Sequence, residues 1–325
     1  MLKTLTLALA ALLPAAAAQA WEPQKPIEFV VTSGPGGGTD SFARAVQAII
    51  VKHKLVDRPI VVSNKGGGSG AEGFVYGKGA AGDPHKLVFG TNNEYLLPFV
   101  ANLPYAPEDL TPVAAMAMDE FVLWVNGEAP YKSAAELLAA AKETPLKFGG
   151  SQSKDVDQTL VTMVGEATGT RFTYIPFKSG NEAAVQLAGG HIDGNTNNPN
   201  ENRGQWQAGM VRPLCVFAMQ RLPAGPKVSG DLGWADIPLC RDEGIPIDSY
   251  QMPRAVWLPG GVPAEATAFY TDLLRKVSET PEWQDYLAKS SQSGRFLTGD
   301  EWQAYIRAEQ DRVRAVYQKQ GWLAG

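Results

Sequence analysis

Apolar positions along this chain recur in two alternating rhythms. Residues 27–31, Ile-Glu-Phe-Val-Val, predict a first strand, and Gly34-Pro35-Gly36-Gly37-Gly38 follows it at once. A helix then opens near Thr39 or Asp40, because Phe42, Ala45, Val46, Ile49 and Ile50 fall at helical spacing. The same succession returns. Residues 60–62 predict a strand, 63–70 a loop and 71–78 a short helix. A third strand at 87–89 ends in Gly90-Thr91-Asn92-Asn93. Strands alternating with helices predict an α/β domain with a largely parallel sheet.

The alternation continues through strands at 121–125, 172–176 and 211–217. Ser133-Ala134-Ala135-Glu136 is a capping box, since Ser133 can accept the Glu136 backbone N–H. Asp155 predicts the cap of a helix over 156–167, Asp157 a charge in its first turn, and Asn181 the cap of the next helix. The C-terminal part reads as mostly helical. A helix over 264–278 places Phe269, Leu273, Leu274 and Val277 on one face, and Thr280-Pro281 starts another. Thr298-Gly299-Asp300-Glu301 is a second capping box, ahead of a long helix with Trp302, Tyr305, Ile306, Val313 and Val316 inward.

Composition narrows the class. With 325 residues, 44% hydrophobic and 19% charged, the chain is globular and long enough for about two cores. The net charge of -5, without a run of Lys or Arg, excludes a nucleic-acid or membrane-surface patch. Three scattered histidines argue against a metal site. Residues 1–20 read as a cleavable leader: Lys3 supplies the positive start, 5–13 the short apolar stretch, and Ala18-Gln19-Ala20 the small-x-small site, with cleavage after Ala20. The mature chain is therefore expected to be exported, in the periplasm.

Three strand-to-loop transitions carry Gly, Ser, Thr and Asn where backbone N–H groups would be open. Ligands of open α/β sheets sit beyond the carboxyl ends of the strands, and helix N-termini there favour anions. The loops 33–38 and 64–70 can together cradle an anion. Gly68-Ser69-Gly70-Ala71-Glu72-Gly73 also fits G-x-G-x-x-G, with Glu94 about 20 residues on, but a lone match is weak. No G-x-S-x-G, Walker A, H-E-x-x-H or C-x-x-C motif occurs, so no catalytic residues are assigned.

The loops, taken in order, resemble one family: the solute receptors of tripartite tricarboxylate transporters, the TctC or Bug receptors. The residues that carry the resemblance are the GPGGGTD loop at 34–40, the stretch Ser63 to Gly68, Tyr105-Ala106-Pro107 through Pro112-Val113, Phe148-Gly149-Gly150-Ser151, Ile175-Pro176-Phe177-Lys178-Ser179-Gly180, Leu187-Ala188-Gly189-Gly190-His191-Ile192-Asp193 and Gly209 to Leu214. Each is loose alone; their joint order is specific.

The resemblance implies an α/β fold of two lobes, a type II-like, Venus-flytrap periplasmic binding protein with its ligand cleft between them. It places lobe 1 at 21–124, lobe 2 at 125–247 and the completion of lobe 1 at 248–325. It implies a small organic carboxylate as ligand, a di- or tricarboxylate or an aromatic carboxylate. Delivery would be to membrane transporter subunits that are met transiently. The receptor is expected to be a monomer, without cofactor, nucleic acid or enzymatic activity. The expected ligand-binding residues are Ser33, Gly36, Gly37, Gly38, Asn64, Gly67, Gly68, Ser69 and Asn92 from the first lobe and Ser151, Phe177, Lys178, Ser179 and Asn197 from the second, with Arg254 as a clamp for a second carboxylate. Asp40 is expected to support its loop instead, and Lys154 is a candidate extra cation. Asn197 stands where family members often carry an Asp, so an ammonium-bearing ligand is disfavoured. Cys215 and Cys240 are a possible disulfide. Two alternatives stay open: an exported α/β hydrolase or dehydrogenase acting on a small acid, and a ligand sensor for a membrane kinase.

Overall fold

The computed structural model describes residues 21–325; the leader expected at 1–20 and its expected cleavage point lie outside them. The first lobe begins with β1 (Ile27–Val31), α1 (Gly38–His53), β2 (Ile60–Asn64), α2 (Ala71–Gly79), β3 (Lys86–Gly90) and α3 (Asn93–Val100). β1 lies between β2 and β3, parallel to both. All of it but Glu28 is buried, which is why it reads as a continuous apolar run. The stripe of α1 packs through Phe42, Ala43, Val46, Ile49 and Ile50. Ala43 takes the core position expected of Ala45, which is only half-buried.

Two long strands then depart from the expected pattern. β4 (Leu110–Glu120) leads straight into β5 (Val122–Asn126) of the second lobe. The second lobe continues with α4 (Ala134–Glu143), β6 (Leu146–Ser151), α5 (Val156–Thr168), β7 (Phe172–Phe177), α6 (Gly180–Ala188), β8 (Gly194–Asn195), α7 (Pro199–Gln207) and β9 (Val211–Val216). The chain returns through β10 (Gln251–Pro259), α8 (Ala264–Ser278), α9 (Pro281–Ser290), β11 (Ser293–Thr298) and α10 (Gly299–Gln320).

The first sheet has the order β11-β4-β10-β3-β1-β2, the second β7-β6-β8-β5-β9. The first is mixed rather than largely parallel, because β10 runs antiparallel to β3 and to β4, and β11 antiparallel to β4. The C-terminal part is mostly helical as expected, through α8, α9 and α10, and also supplies β10 and β11. Pro112, Pro253 and the alanines of Leu110–Glu120 give these strands low β-propensity, and burial on both faces removes any alternation.

Caps follow local chemistry with two corrections. Ser133 accepts the Glu136 N–H at 3.2 Å, as the capping box requires. Ser179, not Asn181, caps α6, taking the Glu182 N–H at 3.3 Å. Thr298 stands at the N-cap of α10 but its side chain makes no cap bond.

Cys215 on β9 and Cys240 form a disulfide that closes a separation of 25 residues, and both are fully buried. The bridge ties the irregular stretch 217–239 to the second sheet. Replacing both cysteines with alanine is expected to cost about 3 kcal/mol, because the unfolded chain regains the closed loop's freedom. Urea denaturation checks it; an unchanged midpoint would show that the bridge adds nothing.

Candidate ligand cleft

The carboxyl ends of β1, β2 and β3 face those of β6 and β7 across a cleft of about 460 Å³. After β1 the chain turns through Thr32–Gly38 into α1, whose N-cap is Gly37 and whose first turn has no side-chain cap. Its N–H groups and the positive end of the helix therefore face the cleft. Ser33, Gly34, Pro35, Gly36, Gly37, Gly38 and Thr39 all line it. Asp40 stands behind this loop. It accepts the Gly36 N–H at 2.9 Å, the Asn64 amide at 2.9 Å and Arg44 Nε at 3.0 Å. Burial pushes its carboxyl up, but these bonds outweigh it and hold the group below the usual carboxylate range.

Asn64 also donates to the Ser33 carbonyl at 3.0 Å, so it braces the first loop and does not line the cleft. Within the second loop Gly66 and Ser69 line the cleft, whereas Gly67 and Gly68 do not. The Gly67 N–H is occupied by Glu72 at 3.2 Å. Gly66 is packed so closely that a Cβ there would lie 2.6 Å from the Gly34 nitrogen. In the third loop Thr91 and Asn93 line the cleft. The Asn92 side chain is turned away, fully buried, with its amide on Glu309 at 2.8 Å. The G-x-G-x-x-G match finds no acid at a strand end, because Glu94 is buried within α3.

The second lobe contributes Ser151, Gln152, Asp155, Val156, Asp157, Lys178, Ser179, Gly180, Asn181, Asn198 and Glu201. Phe177 packs its ring on Gly149, behind the wall. Asn197 is fully buried and donates to the Gly180 carbonyl at 2.6 Å and to Asn202 at 2.7 Å. Both are thus outside the lining: Phe177 packs on β6, and Asn197 ties the starts of α6 and α7 together. Lys154 is spent on the Trp322 carbonyl at 3.4 Å rather than on the cleft. Arg254 does line the cleft, yet its guanidinium is ion-paired with buried Asp119 and donates to Thr39 Oγ1 at 3.0 Å. It anchors the start of α1 and is not a free clamp.

Asp157 and Glu201 are cleft residues that sequence reasoning missed as such. In the sequence Asp157 reads as a first-turn charge, with a paired carboxylate with Asp155 as the alternative; it accepts the Ser151 N–H at 2.6 Å and hydroxyl at 2.7 Å. Glu201 accepts the Asn198 N–H at 3.1 Å, and its place three residues into a Pro-headed helix is the signal that could have found it.

Two contacts span the cleft: the Asn93 side chain reaches the Asp155 carboxyl, and Ser69 reaches Gln152. Ser69 Oγ donates to Gln152 Oε1 at 2.6 Å. Ser69, Gln152 and Lys154 all have positive φ, of 58°, 50° and 58°, a conformation unusual outside glycine. Ser69→Ala or Gln152→Ala is expected to loosen the closed form by about 1 kcal/mol, and so to weaken ligand binding by about fivefold. Titration calorimetry on both single variants and the double variant checks this. If the two losses simply add, the bond is not what closes the cleft.

Comparison with known proteins agrees with this architecture. Residues 42–322 match the family described as "Tripartite tricarboxylate transporter family receptor". A protein encoded in the gbd 5' region of Cupriavidus necator is 25% identical over 98% of this chain and 94% of its own length. A TctC solute-binding protein from Polaromonas, solved without ligand, superposes with a TM-score of 0.73 at 26% identity over 91% of this chain and 99% of that one. Rpa4515 of R. palustris, solved with adipate, superposes with a TM-score of 0.79 at 23% identity over 92% and 98%. The α/β fold with two lobes is that of the periplasmic solute-binding proteins, and the chain belongs to the tripartite tricarboxylate transporter family of receptors.

Proposed function

We propose that this protein is an exported receptor that captures a small organic carboxylate between its lobes and delivers it to a tripartite tricarboxylate-type membrane transporter. The observation that carries this reading is the α1 N-terminus, open to the cleft without a side-chain cap and flanked by the Ser33–Gly38 loop. Such a terminus favours an anion through its unpaired N–H groups and its dipole. The adipate held by the R. palustris neighbour is a carboxylate of the expected kind. The leader at 1–20 supports export to the periplasm. Binding in the cleft would draw the lobes together and present the closed form to the transporter.

The test is a thermal-shift screen of the mature protein, stripped of co-purified ligand, against organic acids. A carboxylate that binds only the folded state raises the melting temperature in proportion to ln(1 + [L]/Kd). Saturable binding without product formation is the expected result. Turnover of an acid by the isolated protein would favour the enzyme alternative and sink the receptor reading.

A further inference from the structure

A second cavity, of about 310 Å³, lies between α10, β11 and the start of β10. From α10 it takes Tyr305, Glu309 and Arg312, which fall on one face of the helix at i, i+4 and i+7. Arg295 comes from β11, and Ser249 and Gln251 come from the segment that returns from the second lobe. Side chains alternate along a strand, so Gln251 points away from Met252 and Arg254, which line the ligand cleft. The two cavities share no lining residue.

This cavity holds donors that the protein leaves unused. Arg295 forms no ion pair or hydrogen bond among the described residues, and its guanidinium rests over the Tyr305 ring, 5.5 Å from the centroid. Arg312 sits over the Tyr250 ring at 5.4 Å, and its Nε is buried without a partner. Aromatic faces hold both guanidiniums in place without neutralising them. The Tyr305 and Ser249 hydroxyls are also unbonded among the described residues. Burial, with help from Glu309, keeps the Tyr305 hydroxyl protonated against the pull of both guanidiniums, which therefore act on the same oxygen.

The acids at hand do not cancel this charge. Glu309 is the one carboxyl in the lining, against two guanidiniums, so the lining stays positive whether or not Glu309 is ionised. Both its oxygens are taken, by the Tyr95 hydroxyl at 2.5 Å and the Asn92 amide at 2.8 Å, and Arg312 comes no nearer than 3.9 Å. Glu120 stands behind Gln251, which donates to it at 2.8 Å. Burial pushes its carboxyl up to about 7, so it is only partly ionised near neutral pH.

A compact oxyanion with two charges answers this set, since each guanidinium offers paired N–H donors and the hydroxyls reach the remaining oxygens. We propose that the cavity is a second ligand site, for a tetrahedral oxyanion of the sulfate or phosphate kind, held by Arg295, Arg312, Tyr305 and Ser249. The site stands independently of what the cleft between the lobes takes.

The experiment is titration calorimetry of the stripped mature protein near neutral pH with sodium sulfate and with sodium phosphate, at constant ionic strength, with chloride as the monovalent control. Ser33→Asp puts a carboxylate on the cleft loop and opposes anion binding there. The expected result is saturable binding of sulfate or phosphate, at least about tenfold tighter than chloride. Binding should persist in Ser33→Asp and weaken at least about tenfold in Arg295→Gln/Arg312→Gln. Arg295→Gln alone, at an exposed side chain, serves should the double variant fold poorly. Binding that disappears in Ser33→Asp and survives the arginine changes would place the ion in the ligand cleft and overturn the second site. Equal binding of chloride, or no binding of either oxyanion at millimolar concentration, would overturn it too. All three results leave the receptor reading standing.

Discussion

Arg254→Ala is expected to lower the unfolding free energy by about 3–5 kcal/mol, the cost of removing one partner of a buried ion pair. Arg254 is 6% exposed and Asp119 1%, and they face each other across β10 and β4. Without the guanidinium the Asp119 carboxylate stays buried with no cation beside it, close to Glu120. The effect reaches the cleft as well, because Arg254 Nη1 donates to Thr39 in the first turn of α1, and a Cβ at Gly38 would lie 2.6 Å from Nη2. Losing this support should weaken ligand binding beyond the loss of stability. Urea denaturation with and without ligand separates the two effects. The double change Asp119→Leu/Arg254→Met removes both charges and is expected to recover most of the stability, since apolar replacement of a buried pair is often neutral. A single-variant cost below about 1 kcal/mol, the size expected of an exposed pair, would show that the pair is solvated.

The second large effect is on pH. Stability should fall as pH rises from about 4 to about 7. Burial pushes the Glu120 carboxyl up to about 7, against hydrogen bonds from Ser293 and Gln251 and with help from neighbouring Asp119. Burial likewise raises Asp157 to about 7, against its Ser151 bonds and with help from Asp155. In the unfolded chain both groups ionise near pH 4. Between these limits the folded protein keeps protons that the unfolded chain has released, so each step up in pH favours unfolding. Each group contributes on the order of 3 kcal/mol across the window. Above about pH 7 this loss is complete. The groups held low, Asp40 and Glu28 among them, act with the opposite sign: their stabilisation is lost as pH falls below about 4. Melting temperatures measured across this range should therefore peak on the acid side of neutrality, and Glu120→Gln should remove one part of the decline. A curve that is flat between the two limits would refute the assignment.

Much of this was readable from residue order. The alternation of apolar runs with glycine turns predicted β1, α1, β2, α2 and β3, and the Ser33–Gly38 turn pointed to the open helix terminus. Asp40 behaves as its first-turn position suggests. What could not be read depends on distant partners. β4 and β10 carry alanines and prolines that say nothing of a strand until each finds the other. Asn92 and Asn93 are adjacent and chemically identical, yet one faces Glu309 on α10 and the other the cleft. Arg254 is a plausible clamp in isolation and an occupied one once Asp119 lies beside it. Asp157 and Glu201 stand 44 positions apart in the numbering, so only the packing of α5 and α7 puts them on one wall.

The disulfide has a consequence for the order in which the protein matures. Thiol–disulfide exchange needs a thiolate that an oxidant can reach, and Cys215 and Cys240 have no exposed surface in the finished lobe. The bridge must therefore form before the second sheet closes over its cysteines. A chain that folds first in a reducing compartment would bury two thiols, and added oxidant could reach them only by waiting for the lobe to open. Protein made in the cytosol and protein passed through an oxidising compartment would then share one sequence and one fold while differing in covalent structure, and a stability measured on one would not describe the other.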